Sequence, residues 1–456
     1  MVTVAFAYRV CLALGNAAHR KKSRSAEQWT AYALLYLPVR TSAFSMHHVT
    51  VIGAGPAGLM AALAAAQRGC QVVLLESMDR PGRKLALTGH GRGNVSHQME
   101  TEALLAAFGP AAAFLKPAFY SLPLARLTAV LETVGVRLTT EADGRIFPAS
   151  VGARELAQIL TAAACAHGVE LRCQTRVTEL CPEGDHWRVR CAHSAPIASR
   201  AVILTTGGMS YPATGSRGDG FRLAETLGHR IEPLHPGLVG LHCPGTQPAQ
   251  GSSALAEVTV LAAGRSLGRT TGPVLFTHSG VSGPAVLDMS KHATKALQAG
   301  NSPAVRLNLA PGMDAAAMDR RLHEAIRNSP RRSLVRLLET WAPPKLARFI
   351  VHFCRLDEKT PIAHLSASAR RGLSQAVTGL TLPVTGHDGW KRAMITCGGV
   401  ARSDITARTL MSRRVPGLFF AGEILDMDGP TGGFNLHAAF ATGWHAGLHA
   451  AAMIRS

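Results

Sequence analysis

The chain has 456 residues, 47% of them apolar and 17% charged, with a formal net charge of +19. That length predicts two or three domains with developed cores, and the composition is that of a globular protein rather than a disordered or fibrous one. No run reaches the ~18 uncharged apolar residues of a membrane-crossing helix. The nine cysteines are odd in number and form no CxxC, which argues against a disulfide framework and against a metal site of the zinc type. The basic excess favours a polyanionic partner or an anionic substrate, though such charge also arises without either.

Residues 1–45 show no clean period and carry six Lys/Arg against one Glu, +5 of the total, which leaves +14 on the remainder. The opening "MVTVAFAYRVCL" lacks the basic start and cleavage site of a signal peptide, so a cytoplasmic protein is expected. Met46 stands immediately before "HHVTVIGAGPAGL" and is expected to be the true start, residues 1–45 being an extension or a mis-called start.

From Val49 the pattern predicts a strand (49–52), a glycine turn, a helix (about 56–68) and a second strand (71–75), a βαβ opening. Helices are predicted over 102–116, 124–134 and about 152–167, followed by strands in "VELRCQTRVTEL", "HWRVRC" and "SRAVILTTG". Between 235 and 310 short β-like pieces, "LVGLHC", "LAEVTVLAAG" and "AVRLNLA", alternate with turn formers and predict a barrel or small sheet. Residues 313–376 read as helical with a break at Pro343–Pro344. Twelve Lys/Arg against six Asp/Glu in 311–371 give this part a moderately basic surface. "LPVTG" and "KRAMITCGGV" return to strand, and "GLFFA" (417–421) is a buried strand feeding "GEILDMDGPTGGFNLHAAFATG".

The chemistry begins in "VIGAGPAGLMAALAAAQRGCQVVLLE". Gly53 permits a tight turn, Gly55 admits a pyrophosphate against the backbone, and Gly58 lets helix and strand approach. Phosphates would sit at the helix N-terminus, where unpaired N–H groups favour anions. Glu76 ends the second strand and would accept from ribose hydroxyls. A carboxylate there disfavours a 2′-phosphate, so NADP(H) is not expected in this turn.

The residues beyond Glu76 decide between FAD and NAD. "RPGRKLALTGHGRGNVSH" sets Arg83, Lys84 and Arg92 among glycines, a basic loop able to wrap more of a long dinucleotide than NAD needs. Near the other end, Gly432, Gly433 and Asn435 open a helix and offer N–H groups, while Glu423 is placed to accept from a polyhydroxylated chain. Both ends of the chain would then clasp one cofactor, FAD.

Six stretches in order, "VIGAGPAGLMAA", "GRKLALTGHGRGNVS", "TTGGMSYPATGSRGDGF", "LFTHSGVSGPAVLDMS", "TCGGV" and "GLFFAGEILDMDGPTGGFNLHAAFATG", closely resemble the bacterial flavoproteins described as predicted NAD(FAD)-utilising dehydrogenases or aminoacetone-oxidase-like FAD proteins, within the glutathione-reductase-like group. The resemblance covers about Val49 to Ile454. It implies an α/β fold: a split Rossmann-like FAD-binding domain with an inserted β-barrel-like domain and a helical subdomain. The expected boundaries are an extension (1–45), the first FAD-binding part (46–234), the inserted domain (235–310), the helical subdomain (311–376), a return strand (377–388) and the second FAD-binding part (389–456).

Carried over by motif, Gly53, Ala54, Gly55, Pro56, Ala57, Gly58 and Glu76 would hold the AMP half, and Val177 would meet adenine through its backbone. Arg83, Lys84, Arg92 and Asn94 would approach the pyrophosphate and flavin side. Gly207, Gly422, Glu423, Gly432, Gly433, Asn435 and Leu436 would complete the cofactor site, the last part around the ribityl chain and flavin. The family's Gly-Arg-Cys-Asn is here "GRGN", so Gly93 removes any thiol role.

The resemblance implies hydride transfer through flavin N5, with reduction of a C=C bond as the first reading and NADH or NADPH as a transient donor. Its alternatives are dihydrouridine formation in ribosomal RNA, an aminoacetone-type amine oxidase, and a non-catalytic flavin-binding sensor. The partner is accordingly a small molecule or structured RNA. His278 in "LFTHSGVSGP" is the acid/base candidate on residue type, or else a histidine satisfying a backbone carbonyl. Tyr211 either donates a proton or packs. Thr214, Ser216, Thr277 and Ser279 are further polar candidates.

Overall fold

The computed structural model describes residues 46–455. The expected extension, with Cys11 and the question of the start, lies outside the described residues.

His47–Ile52 buries Val49, Thr50, Val51 and Ile52 together, the largely apolar habit of a strand covered on both faces. It pairs in parallel with Val72–Leu75 on one side and Ile197–Leu204 on the other. The sheet runs Glu170–Arg172, Val72–Leu75, His47–Ile52, Ile197–Leu204, His186–Cys191, Val177–Glu183, and Leu418–Phe420 joins the far half of Ile197–Leu204 in parallel. This last pairing carries the C-terminal segment to the glycine turn. Ala-rich Pro56–Gln67, with Pro at its first turn and no polar face to speak of, is buried almost throughout and packs on Phe434–Arg455. The two helices touch backbone to backbone: a Cβ on Gly443 would lie 2.1 Å from the Ala57 oxygen, and one on Gly447 2.3 Å from the Ala61 oxygen.

A second hydrophobic core is built on the sheet Leu380–Pro383, Ala304–Asn308, Ser253–Ala262, Arg265–Phe276, Gly280–Ser282, Leu241–His242, Gly386–His387. The outermost strands are neighbours in sequence, so the single segment 380–387 borders both edges and gives the sheet a barrel-like closure. Helices Ala315–Asn328, Leu334–Leu338, Pro344–Phe353 and Ala367–Gly379 add their apolar faces to this core. Ile231–Gly237 and Ile395–Val400, paired antiparallel, form the ribbon between the cores.

Two local expectations are corrected. The helix predicted over 102–116 is two, Thr101–Ala106 and Ala112–Ser121, because Gly109 takes φ +52 and Pro110 cannot donate. Among the short β pieces of 235–310 stands a fifteen-residue helix, Pro284–Gln298. Its signal is present in "GPAVLDMSKHATKALQ": a proline at the first helical position and apolar residues three to four apart. The long strand Arg265–Phe276 pairs along Ser253–Ala262 despite three glycines or prolines in its sequence "RSLGRTTGPVLF". No helix among the described residues is long and apolar enough to cross a membrane.

The helix contact predicts an asymmetry between glycines. Gly443→Ala should lower unfolding stability by about 1–3 kcal/mol through overpacking. Gly372→Ala, in Ala367–Gly379 with nothing within 4 Å of the added Cβ, should raise it by about 0.5–1 kcal/mol. Urea denaturation of the two variants reads both signs.

Candidate cofactor site

Gly53 ends the first strand with φ +102, and a Cβ there would lie 2.6 Å from the Thr205 oxygen. Its N–H donates to the Leu75 carbonyl at 2.8 Å. Gly58 is closer still, its would-be Cβ lying 1.8 Å from the Gly53 oxygen. Gly55 is different: nothing lies within 4 Å of the position a Cβ would take, and it caps a helix whose first N–H groups receive no side-chain acceptor. The turn is thus packed hard on the protein side and open on the other. Glu76 closes it, accepting from the Ala54 N–H (2.9 Å) and the Met78 N–H (2.9 Å).

The opening is a cavity of about 1350 Å³, solvent at its mouth included. One group of lining residues comes from touching segments: Glu76 and Ser77, Thr175 to Val177, and Thr214 to Ser216. The Thr175 N–H donates to the Glu76 carbonyl at 2.8 Å, and Gly215 abuts the Met78 side chain. A second group surrounds Lys84 and Glu423. Lys84 Nζ lies 2.5 Å from Glu423 Oε2 and donates to Ser210 Oγ at 2.5 Å. Ser210 Oγ donates to Glu423 Oε1 at 2.8 Å, and the Thr396 N–H donates to the same oxygen at 2.7 Å. Thr396 Oγ1 in turn accepts from the Met209 N–H.

Next to this group, Asn435 and Leu436 line the cavity from the start of Phe434–Arg455. The Asn435 amide is spent on the preceding loop: Oδ1 accepts from the Gly429 N–H and Nδ2 donates to the Gly429 and Pro430 carbonyls. Asn94, with its amide turned so that the oxygen accepts from the Gly433 N–H at 3.1 Å, donates to the Ser96 and Ile146 carbonyls. His437 is fully buried between Phe119, on which it stacks, and Ser96. Nε2 faces the Leu122 carbonyl at 3.0 Å and must carry the proton, so Nδ1 accepts from Ser96 Oγ. Burial pulls its pKa down to about 4, and the ring is neutral.

Of the residues expected from sequence, Gly53, Gly55, Pro56, Ala57, Glu76, Arg83 and Lys84 line this cavity, as do Val177, Gly207, Gly422, Glu423, Asn435 and Leu436. Ala54, Gly58, Gly432 and Gly433 stand behind it as scaffold. Arg92 turns away to pair with Glu141 and lies 3.9 Å above the Phe147 ring. Asn94 holds the helix mouth rather than the cavity. Arg83 reaches Asp79 Oδ1 (2.6 Å) and the Ala213 carbonyl (3.2 Å). Tyr211 is half-buried at φ +52, its N–H on the Trp390 carbonyl. His278 is exposed between Arg265–Phe276 and Gly280–Ser282, outside the lining residues. Sequence reasoning missed Arg176, Thr205, Thr206, Asp219, Met394 and Ile395. Only "TTGG" and "GDG", glycine-rich turns after a strand and before a helix, offered a signal.

FAD fits these residues on three grounds. Gly55 leaves room where its pyrophosphate would pass, the helix start beside it has no side-chain cap, and Thr206 Oγ1 is buried without a partner at the cavity wall.

Comparison with known proteins agrees. The family described as HI0933-like protein Rossmann domain matches residues 47–449. A 3-dehydro-bile acid delta(4,6)-reductase from Clostridium scindens is 29% identical over 410 residues, 89% of this chain and 99% of that protein. A ribosomal RNA dihydrouridine synthase from Escherichia coli is 28% identical over 402 residues, 86% of this chain and 95% of that one. Among solved structures, a 3-ketosteroid delta1-dehydrogenase from Sterolibacterium denitrificans, in complex with 1,4-androstadiene-3,17-dione, superposes with TM-score 0.50 at 14% identity, covering 90% of this chain and 100% of that one. That likeness is one of fold.

Two outcomes are expected. Gly55→Ala should fold normally yet lose flavin, whereas Gly53→Ala, strained at φ +102, should cost about 1–3 kcal/mol of stability; flavin-to-protein absorbance and thermal unfolding separate them. For His437 the folded pKa lies below the free value, so its contribution is complete above about pH 6.5 and is lost as pH falls toward 4. His437→Gln should flatten that part of the stability–pH curve, measured by urea denaturation at several pH values; His445, with a similarly lowered pKa, retains its own share.

Proposed function

We propose, since the chain belongs to the HI0933-like Rossmann family and is an FAD-dependent oxidoreductase, that it reduces a carbon–carbon double bond of a small unsaturated substrate, with NADH or NADPH as donor. The observation that carries this reading is the end-to-end match to a reductase named for such bonds, joined to one cavity that both ends of the chain line. Bound FAD supplies two-electron hydride chemistry. The protein's part is to hold and orient it.

On this reading Gly53 to Gly58, Glu76 and Val177 serve the adenylate half, with the uncapped helix start at the phosphates. Lys84, Glu423, Asn435 and Leu436 serve the ribityl and flavin half. Glu423 is oriented by three donors, Lys84, Ser210 and the Thr396 N–H, and retains lone-pair capacity for a hydroxyl. A nicotinamide donor is in keeping with a reaction in the cytoplasm.

A second reading keeps the chemistry and takes structured RNA as substrate. It is favoured by the relatives named ribosomal RNA dihydrouridine synthase and by Arg320, Arg321 and Arg327, exposed on Ala315–Asn328, since phosphate contacts supply affinity independent of sequence.

Anaerobic mixing of the yellow protein with NADH or NADPH should bleach the flavin, and 2-cyclohexenone should restore the colour faster than buffer does. A protein that neither bleaches nor is reoxidised by the enone defeats the first reading. Loss of one ribosomal dihydrouridine in gene-deleted cells would decide for the second.

A further inference from the structure

The stretch between Thr205 and the helix Asp219–Thr226 is more than a connection. Thr214, Gly215, Ser216 and Asp219 all line the cavity, so the segment 211–219 lies across it. Its backbone holds three left-handed residues, Tyr211 (φ +52), Gly215 (φ +108) and Gly218 (φ +84), around a single short 3-10 turn, Pro212–Thr214. The Tyr211 N–H on the Trp390 carbonyl and the Gly218 N–H on the Gly208 carbonyl hold its backbone, and two arginines that line the cavity reach it as well. Arg83, anchored on Asp79, donates to the Ala213 carbonyl at the crown. Arg176 Nη2 lies 2.6 Å from Asp219 Oδ1 at the far end. Arg176 adjoins Val177 and Thr175, whose N–H is on the Glu76 carbonyl, so its tie falls at the Glu76 end of the cavity, while Arg83 stands next to Lys84.

We propose that segment 211–219 is a strap over the nucleotide end of bound FAD, and that Arg83 and Arg176 are positioning residues that fasten it and set how fast the cofactor leaves. The Arg176 side chain is 49% exposed and that of Asp219 24%, so the tie is at the cavity's mouth, where it can open without disturbing a core. A half-exposed pair of this kind is worth roughly a factor of two to five in an equilibrium or a rate, and it weakens with salt.

The test is FAD release from the purified holoprotein, followed as recovery of free-flavin fluorescence after dilution, for the wild type and for Asp219→Asn, Arg176→Met, Arg176→Lys and Arg83→Met. Release should quicken about two- to fivefold in Asp219→Asn and Arg176→Met, less in Arg176→Lys, and in Arg83→Met by a similar factor. Raising salt from about 0.05 to 0.5 M should speed the wild type and leave Asp219→Asn unchanged. Protein reloaded with FMN, which lacks the adenylate, should release it at one rate in the wild type and in the Asp219 and Arg176 variants. Unchanged FAD release in Asp219→Asn and Arg176→Met would overturn the proposal. So would an equal quickening of FMN release, which would mean general loosening rather than a strap on the nucleotide.

Discussion

Glu423 cannot stand where it does without Lys84. Its carboxylate is four-fifths buried, and a buried carboxylate without donors is costly enough to be expelled or neutralised. The donors it finds come from three other parts of the chain: Lys84, Ser210 and the Thr396 N–H. Lys84 is 339 residues away in sequence. Removing any one partner leaves the others with an unbalanced group, so the knot tends to form whole or not at all. When it forms, the loop after the second strand, the turn after Ile197–Leu204, the ribbon strand Ile395–Val400 and the approach to the last helix are all fixed around one cavity.

Two features let that knot close. Leu418–Phe420 adds to Ile197–Leu204 in parallel, which sets Glu423 just past a strand end, on the same edge of the sheet as Gly53. Gly443 and Gly447 then bring the last helix into backbone contact with Pro56–Gln67. A larger residue at either position would push the helix start, with Asn435 and Leu436, off the cavity wall. The same logic explains why buried His437 is tolerated as a neutral ring: its two nitrogens pin Phe434–Arg455 to Ser96 and Leu122, and they are satisfied only in that position.

The nucleotide turn is legible in the sequence because its determinants are local. Three glycines, a strand before them and Glu76 after the next strand lie within 30 residues and act on each other directly. The roles of Arg92 and Asn94 are not legible there. Composition puts both in a basic glycine loop, but Arg92 lies over Phe147 and Asn94 is drawn to Gly433, contacts that exist only after Arg145–Pro148 and the last helix are in place. Asn435 lines the cavity, yet its amide serves Gly429 and Pro430, which spacing alone does not reveal. Pro284–Gln298 is hidden for a different reason: its apolar spacing is masked by the turn-rich sequence on either side.

That hidden helix bears on how the two cores act together. Asp288 and Lys291, one turn apart on it, face the loop that leads into the last helix. Asp288 Oδ1 accepts from the Thr431 N–H at 2.7 Å, and Lys291 lies 2.5 Å from Asp428 Oδ1. Burial raises the Asp288 carboxyl above its usual range, while the Thr431 N–H favours its charged form. From the other side the same loop is held by Asn435 and by His97 on the Gly432 carbonyl. The segment 428–433 is therefore shared: neither core alone satisfies its backbone groups. Since it continues directly into Asn435 and Leu436, the geometry at that end of the cavity depends on a helix whose own core is the second one. The cavity belongs to the contact between the cores as much as to the glycine turn.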